Sequence, residues 1–177
     1  ANRGGEEEWH GALMSLGFKI GESYDTYYTN RPDSGVGNGL GGRATSYSLI
    51  NYDNMLYSSG DLTIVTIANA DYNNDPSDDV GVLDAWLRQG DKGLFLTGDA
   101  LISDLVQSGA ATTQFVEDWI KVTYVTGDLR PLLSNQATPM VRADMGNGVF
   151  PDDLSWIAYG GCAIINQFDA LEADVAN

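Results

Sequence analysis

The sequence predicts an α/β protein: a three-layer, doubly wound and mainly parallel sheet, followed by an irregular C-terminal part. Helical and strand-like segments alternate through Thr97, and the connections between them are long enough for crossovers. Leu94–Thr97 is short and apolar, as expected of a parallel strand that is buried on both faces. Beyond Val125 the periodicity is lost, and glycine and proline recur up to Phe168.

Composition fits one domain over residues 1–177 and excludes several classes of partner. The chain has 177 residues, of which 43% are hydrophobic and 19% charged, enough to build a sizeable core. Nine basic residues against 25 acidic ones leave a net charge of −16, which repels phosphate backbones and anionic lipids. We therefore expect no binding to nucleic acid. No apolar run reaches the roughly 18–20 residues of a membrane span.

The first predicted element is a helix from about Gly5 to Leu16. Three glutamates occupy its first turn, where carboxylates favour the helix dipole, and Gly17 is a suitable terminator. An apolar stripe at helical spacing consists of Trp9, Leu13 and Leu16. Tyr24–Thr29 is rich in tyrosine and threonine and predicts a strand. Ser34–Arg43 has five glycines in ten residues and predicts a loop.

Two strands and a helix are predicted next. Met55–Ser58 reads as the second strand, and Leu62–Ala68 as a strand or a buried connection. Ser77 or Asp78 caps a following helix that ends at Gly90. The buried face of this helix consists of Val80, Leu83, Trp86 and Leu87.

The strand Leu94–Thr97 is followed by a tight turn and a helix from Leu101 to about Val106. A further helix, capped by Thr112 or Thr113, carries an apolar face. Its apolar residues are Phe115, Trp119 and Ile120.

Candidate site residues follow the predicted strands, because ligands of open α/β sheets bind outside the carboxyl ends of the strands. These ends are Asn30-Arg31, Ser59-Gly60-Asp61 and Gly98-Asp99. If the strands are parallel neighbours, Asp61 and Asp99 converge. The two carboxylates are then either turn and cap residues or the acids of a hydrolase, alone or with a divalent ion.

An acidic loop is the candidate metal site, with Ca²⁺ as the candidate cofactor. Oxygen-bearing side chains alternate along it, a pattern that can turn several oxygens toward one hard cation. The candidate ligands are Asp71, Asn73, Asp75 and Asp79. Pro76 and Val82 stand where an EF-hand needs glycine and glutamate, so no EF-hand is predicted. The alternative is a solvated loop that caps the following helix.

Three further motifs are interpreted structurally. The single cysteine, Cys162, excludes internal disulfides and cysteine zinc sites, and its apolar neighbours indicate a small buried residue. The single histidine, His10, is interpreted as a surface or helix-packing residue. Gly37–Gly42 fits the spacing G-x-G-x-x-G but does not directly follow a strand, which favours a packed or flexible glycine loop.

The segment LFLTGDA (Leu94–Ala100), preceded by VGVLDAWLRQGDKG, resembles the class I glutamine amidotransferase-like, flavodoxin-like fold. The similarity covers Asp78–Val106 and extends more loosely over Gly5–Val125. In active members the sharp turn carries a nucleophilic cysteine, with a histidine and a carboxylate downstream. Here the turn carries Asp99, and no histidine follows His10. The resemblance therefore implies the fold without the glutaminase activity, as in related domains of large secreted bacterial proteins.

Together these observations predict a non-catalytic binding or structural domain of a secreted or cell-surface protein or assembly. The alternative is an extracellular hydrolase that uses Asp99 and Asp61. The chain is expected to be a fragment of a longer precursor, with adjoining domains or neighbouring subunits as partners. No strand precedes the first helix, so we expect Ala163–Leu171 or a strand of another molecule to take that position.

Overall fold

The computed structural model describes residues 5–28, 40, 44–60, 62–70, 77–127, 140–143, 146, 148, 151, 153–157, 159–160, 163–164 and 169–174. Contacts divide the chain into two compact units, Ala1–Val122 and Thr123–Asn177. Helices and strands occur together in the first unit, with a small parallel sheet, while the second unit contains small antiparallel pairs. The mixed α/β class is therefore confirmed, and the single domain over residues 1–177 stays a prediction.

Helix α1 spans Glu6–Ser15, as the acidic first turn predicts. Gly17 follows it with a φ of +88°, a conformation that favours glycine. None of the helix residues is buried. Trp9 is half-buried and meets Phe95 edge to face, with ring centroids 5.8 Å apart, whereas Leu16 is exposed. Of the predicted apolar stripe, Trp9 and Leu13 are thus half-buried, and Leu16 lies in solvent.

Two parallel strands form the sheet of the first unit: β1, Asn54–Ser58, and β2, Gly93–Thr97. Met55 lies opposite Leu94, and Ser58 lies opposite Thr97. Helix α2, Asp79–Leu87, lies in the connection between them. The prediction that Asp78 caps this helix is confirmed, since its carboxylate accepts a hydrogen bond of 2.9 Å from the Gly81 amide.

The apolar face of α2 is buried as its periodicity predicts. Leu83 and Trp86 are fully enclosed, and Val80 and Leu87 are buried beside them. The Trp86 indole N–H donates to the carbonyls of Leu49 and Tyr52, each at 3.1 Å. Trp86 therefore fixes the chain that leads into β1 as well as filling the core.

Helices α3, Leu101–Ser108, and α4, Ala110–Phe115, follow β2, and a π-helical turn, Val116–Ile120, continues α4. Leu105 and Phe115 are buried. The predicted threonine cap is wrong, because α4 already begins at Ala110. The hydroxyls of Thr112 and Thr113 instead donate back to the Gly109 carbonyl, both at 2.9 Å.

Tyr24–Thr29 does not form the predicted strand. Only an isolated bridge between Ile20 and Tyr24 is found, and residues 25–28 have no regular structure; Thr29 lies outside the described residues. The tyrosines are engaged by α1 instead. The Tyr24 hydroxyl is hydrogen-bonded to His10 Nδ1 at 2.9 Å, and the Tyr28 hydroxyl donates to Glu6.

The C-terminal part contains short strands, as its glycine and proline content predicts. They are β3, Val122–Thr126; β4, Met140–Arg142; β5, Ser155–Ile157; β6, Tyr159–Gly160; β7, Ala163–Ile164; and β8, Ala170–Ala173. Strands β4 and β5 pair antiparallel, as do β6 and β7, while β8 pairs with β3. In the Ala163–Leu171 segment, β7 pairs with β6 and β8 pairs with β3, and residues 165–168 lie outside the described residues. The strand expected beside β1 therefore stays a prediction. In the ranges described above, no helix has the length and apolarity needed to cross a membrane.

A network of charges joins α2 to the π-helical turn. The Arg88 guanidinium donates to Asp84 at 2.8 Å and to Asp118 at 3.1 Å, and the Trp119 indole donates to Asp84 at 2.7 Å. The hydrogen bond from Arg88, aided by the one from Trp119, lowers the pKa of Asp84. The ionised carboxylate thus stabilises the junction between the two elements.

Asp84→Asn tests this network through the pH dependence of stability. Because the pKa of Asp84 is lower in the folded state, its contribution is fully present above the ordinary carboxyl pKa and is lost as pH falls through the lowered value. The pair is partly exposed, so we expect the variant to lose about 0.5–1 kcal/mol in free energy of unfolding near neutral pH. Urea unfolding should show that this deficit shrinks in acid.

Glu117→Gln is the matched control, since Glu117 is exposed on the π-helical turn. It should follow the unmodified chain at every pH. A deficit of Asp84→Asn that stays constant from neutral to acidic pH would contradict the assigned role.

Candidate functional site

The carboxyl ends of β1 and β2 lie side by side. The Ser59 amide donates to the Thr97 carbonyl at 2.9 Å, and the Asp99 amide donates to the Gly60 carbonyl at 2.9 Å. The turns that follow the two strands are thus joined by their backbones. Asp99 stands where the sequence predicts it, whereas Asp61 lies outside the described residues.

Ser59 and Gly98 lie very close to each other at this edge. Ser59 is only 6% exposed, and its hydroxyl makes no hydrogen bond within the described ranges. A Cβ atom at position 98 would lie 1.8 Å from that hydroxyl oxygen and 3.1 Å from Ser59 Cβ. The two turns can therefore approach this closely because residue 98 is glycine.

Residues 62–70, after the first turn, are held by a carboxylate of α3. Asp104 accepts hydrogen bonds from the Val65 amide at 3.1 Å, the Thr66 amide at 2.7 Å and the Thr66 hydroxyl at 2.7 Å. Val65 has a φ of +49°, which is strained for a β-branched residue. Leu62–Ala68 is thus an irregular connection, buried at Thr66 through Ala68, rather than a strand.

Sequence reasoning missed Asp104. The one available signal is its position three residues after Leu101, on the side of α3 where the apolar pattern would continue. A carboxylate at such a position indicates a specific partner, and here the partner is the backbone of residues 65 and 66.

Asp79 is buried below β1. Its carboxylate accepts a hydrogen bond from the Leu40 amide at 2.9 Å and faces the Tyr57 hydroxyl. Burial, together with this carboxylate, raises the pKa of Tyr57 far above its ordinary value, so the phenol stays neutral. In the structure, Asp79 therefore joins the start of α2 to β1 and to Leu40.

The calcium interpretation rests mainly on residues that are not described. Asp71, Asn73 and Asp75 lie outside the described ranges, and only Asp79 can be placed. Among the residues that are described, no group of three or more metal-ligating side chains is found. Calcium binding by this loop stays a prediction. Ser34–Arg43, apart from Leu40, and Cys162 also lie outside the described residues.

One face of the β1–β2 sheet is open to solvent. Paired residues of parallel strands share a face, and Leu56 lies opposite Phe95. Leu56 is 48% exposed and Phe95 43%, so the predicted burial of Leu94–Thr97 on both faces is wrong. The other face is the packed one, since it carries Tyr57, whose hydroxyl reaches the Thr66 carbonyl at 3.3 Å.

An open groove of about 200 Å³ accompanies these exposed side chains. Its lining consists of Asn54, Met55, Leu56, Gly93, Leu94 and Phe95. Leu56 and Phe95 form the open face of the sheet. Sequence reasoning missed it, because the apolar strands by themselves do not reveal which face remains uncovered.

The turns that follow β1 and β2 and the open face can support different chemistry. A serine or carboxylate nucleophile needs a general base, usually histidine, for turnover. His10, the single histidine of the sequence, lies on α1 and is hydrogen-bonded to Tyr24. A hydrolase that uses Asp99 and Asp61 stays the alternative prediction. The open face offers apolar surface of the kind that marks interaction sites.

Ser59 and Gly98 can be tested by a double-mutant cycle. Ser59→Ala removes a buried hydroxyl without a described partner, so we expect the free energy of unfolding to rise by about 1 kcal/mol. Gly98→Ala pushes the Ser59 hydroxyl from its position and should cost about 1–2 kcal/mol. The double variant should be more stable than the sum of the two separate effects predicts, because alanine at position 59 removes the hydroxyl oxygen that clashes.

Chemical denaturation of the four proteins measures this coupling. Additive effects would show that the close approach of residues 59 and 98 does not exist in solution.

None of the protein-family models, curated proteins or solved structures compared with the chain matches it. The amidotransferase-like resemblance of Asp78–Val106 accordingly stays a prediction.

Proposed function

We propose that the chain is a non-catalytic binding or structural domain of a secreted or cell-surface multidomain protein or assembly. In this proposal β1 and β2 belong to a larger three-layer, doubly wound sheet of the amidotransferase-like kind. Another polypeptide segment, from an adjoining domain or a neighbouring subunit, completes that sheet and covers its open face.

The open face is the observation that carries the proposal. Parallel sheets occur almost only with both faces covered. Here Leu56 and Phe95 are paired in register on one face, and each is close to half exposed. Covering them removes apolar surface from water at a gain of roughly 25 cal/mol per Å².

The sheet also has few strands for its type. Within the described residues, β1 pairs only with β2, and parallel pairs of this kind are ordinarily part of larger sheets. The Ala163–Leu171 segment, which the sequence offered as a source, is engaged in other pairings where it is described. The other source that we proposed from the sequence is a segment from outside this chain, and the present proposal adopts it.

Site-specific photo-crosslinking tests the proposal. A benzoylphenylalanine placed at position 95, and separately at position 56, should form a covalent adduct with the same protein in the secreted or surface fraction of the producing cells. Tyr47 is 80% exposed and provides the control position, where that adduct should be absent.

The three substituted chains should unfold at the same temperature, since all three side chains are solvent-exposed. Absence of adducts at both 56 and 95, or equal labelling at 47, would contradict a binding role for the open face.

A further inference from the structure

We draw no further inference here: the strongest candidate, the exposed pair of apolar side chains Leu56 and Phe95 on the parallel β1–β2 sheet of the first unit, carries none, because nothing in the described part of the chain shows what covers it.

Discussion

The parallel pairing of β1 with β2 is the interaction on which the rest of the first unit depends. It joins residues that are 39 positions apart, from Asn54 opposite Gly93 to Ser58 opposite Thr97, across a crossover that contains α2. The pairing sets the two following turns side by side, so that the backbone amide of Asp99 can donate to the Gly60 carbonyl. It also places Leu56 and Phe95 on one face, and thereby creates the open face.

Two carboxylates, of which Asp79 is buried and Asp104 is half-buried, hold the irregular chain against this sheet. Asp79 ties the start of α2 to Leu40 and Tyr57, and Asp104 ties α3 to the strained backbone at Val65. Each carboxylate accepts hydrogen bonds from backbone amides or hydroxyl groups in place of water. This is the condition under which a buried polar group is tolerated. All these contacts support the packed side of the sheet. The opposite side has the Trp9 contact and the exposed side chains of Leu56 and Phe95, and this asymmetry distinguishes the sheet from one that is covered on both faces.

Sequence reasoning succeeded where a local pattern was sufficient. The stripe of Leu83 and Trp86, the cap at Asp78 and the strand Met55–Ser58 follow from periodicity and capping chemistry alone. Tyr24–Thr29 failed because β propensity does not register that the hydroxyls of Tyr24 and Tyr28 bind side chains of α1.

The site was less predictable than the elements that carry it. Asp99 could be placed from the rule for strand ends, but Asp104 and the open face required tertiary information. The pairing of Leu56 with Phe95 depends on strand register, and their exposure depends on what packs above them. Neither quantity is encoded in a short segment of sequence.

Hydroxyl-radical footprinting tests the central claim most directly. Oxidation of Phe95 and Trp9 would be compared between the isolated chain and the same chain in the proposed secreted or surface assembly, with Tyr47 as the internal reference. A binding role for the open face predicts ready oxidation of Phe95 in the isolated chain and strong protection in the assembly, with Tyr47 oxidised equally in both. Equal oxidation of Phe95 in both states would contradict the claim.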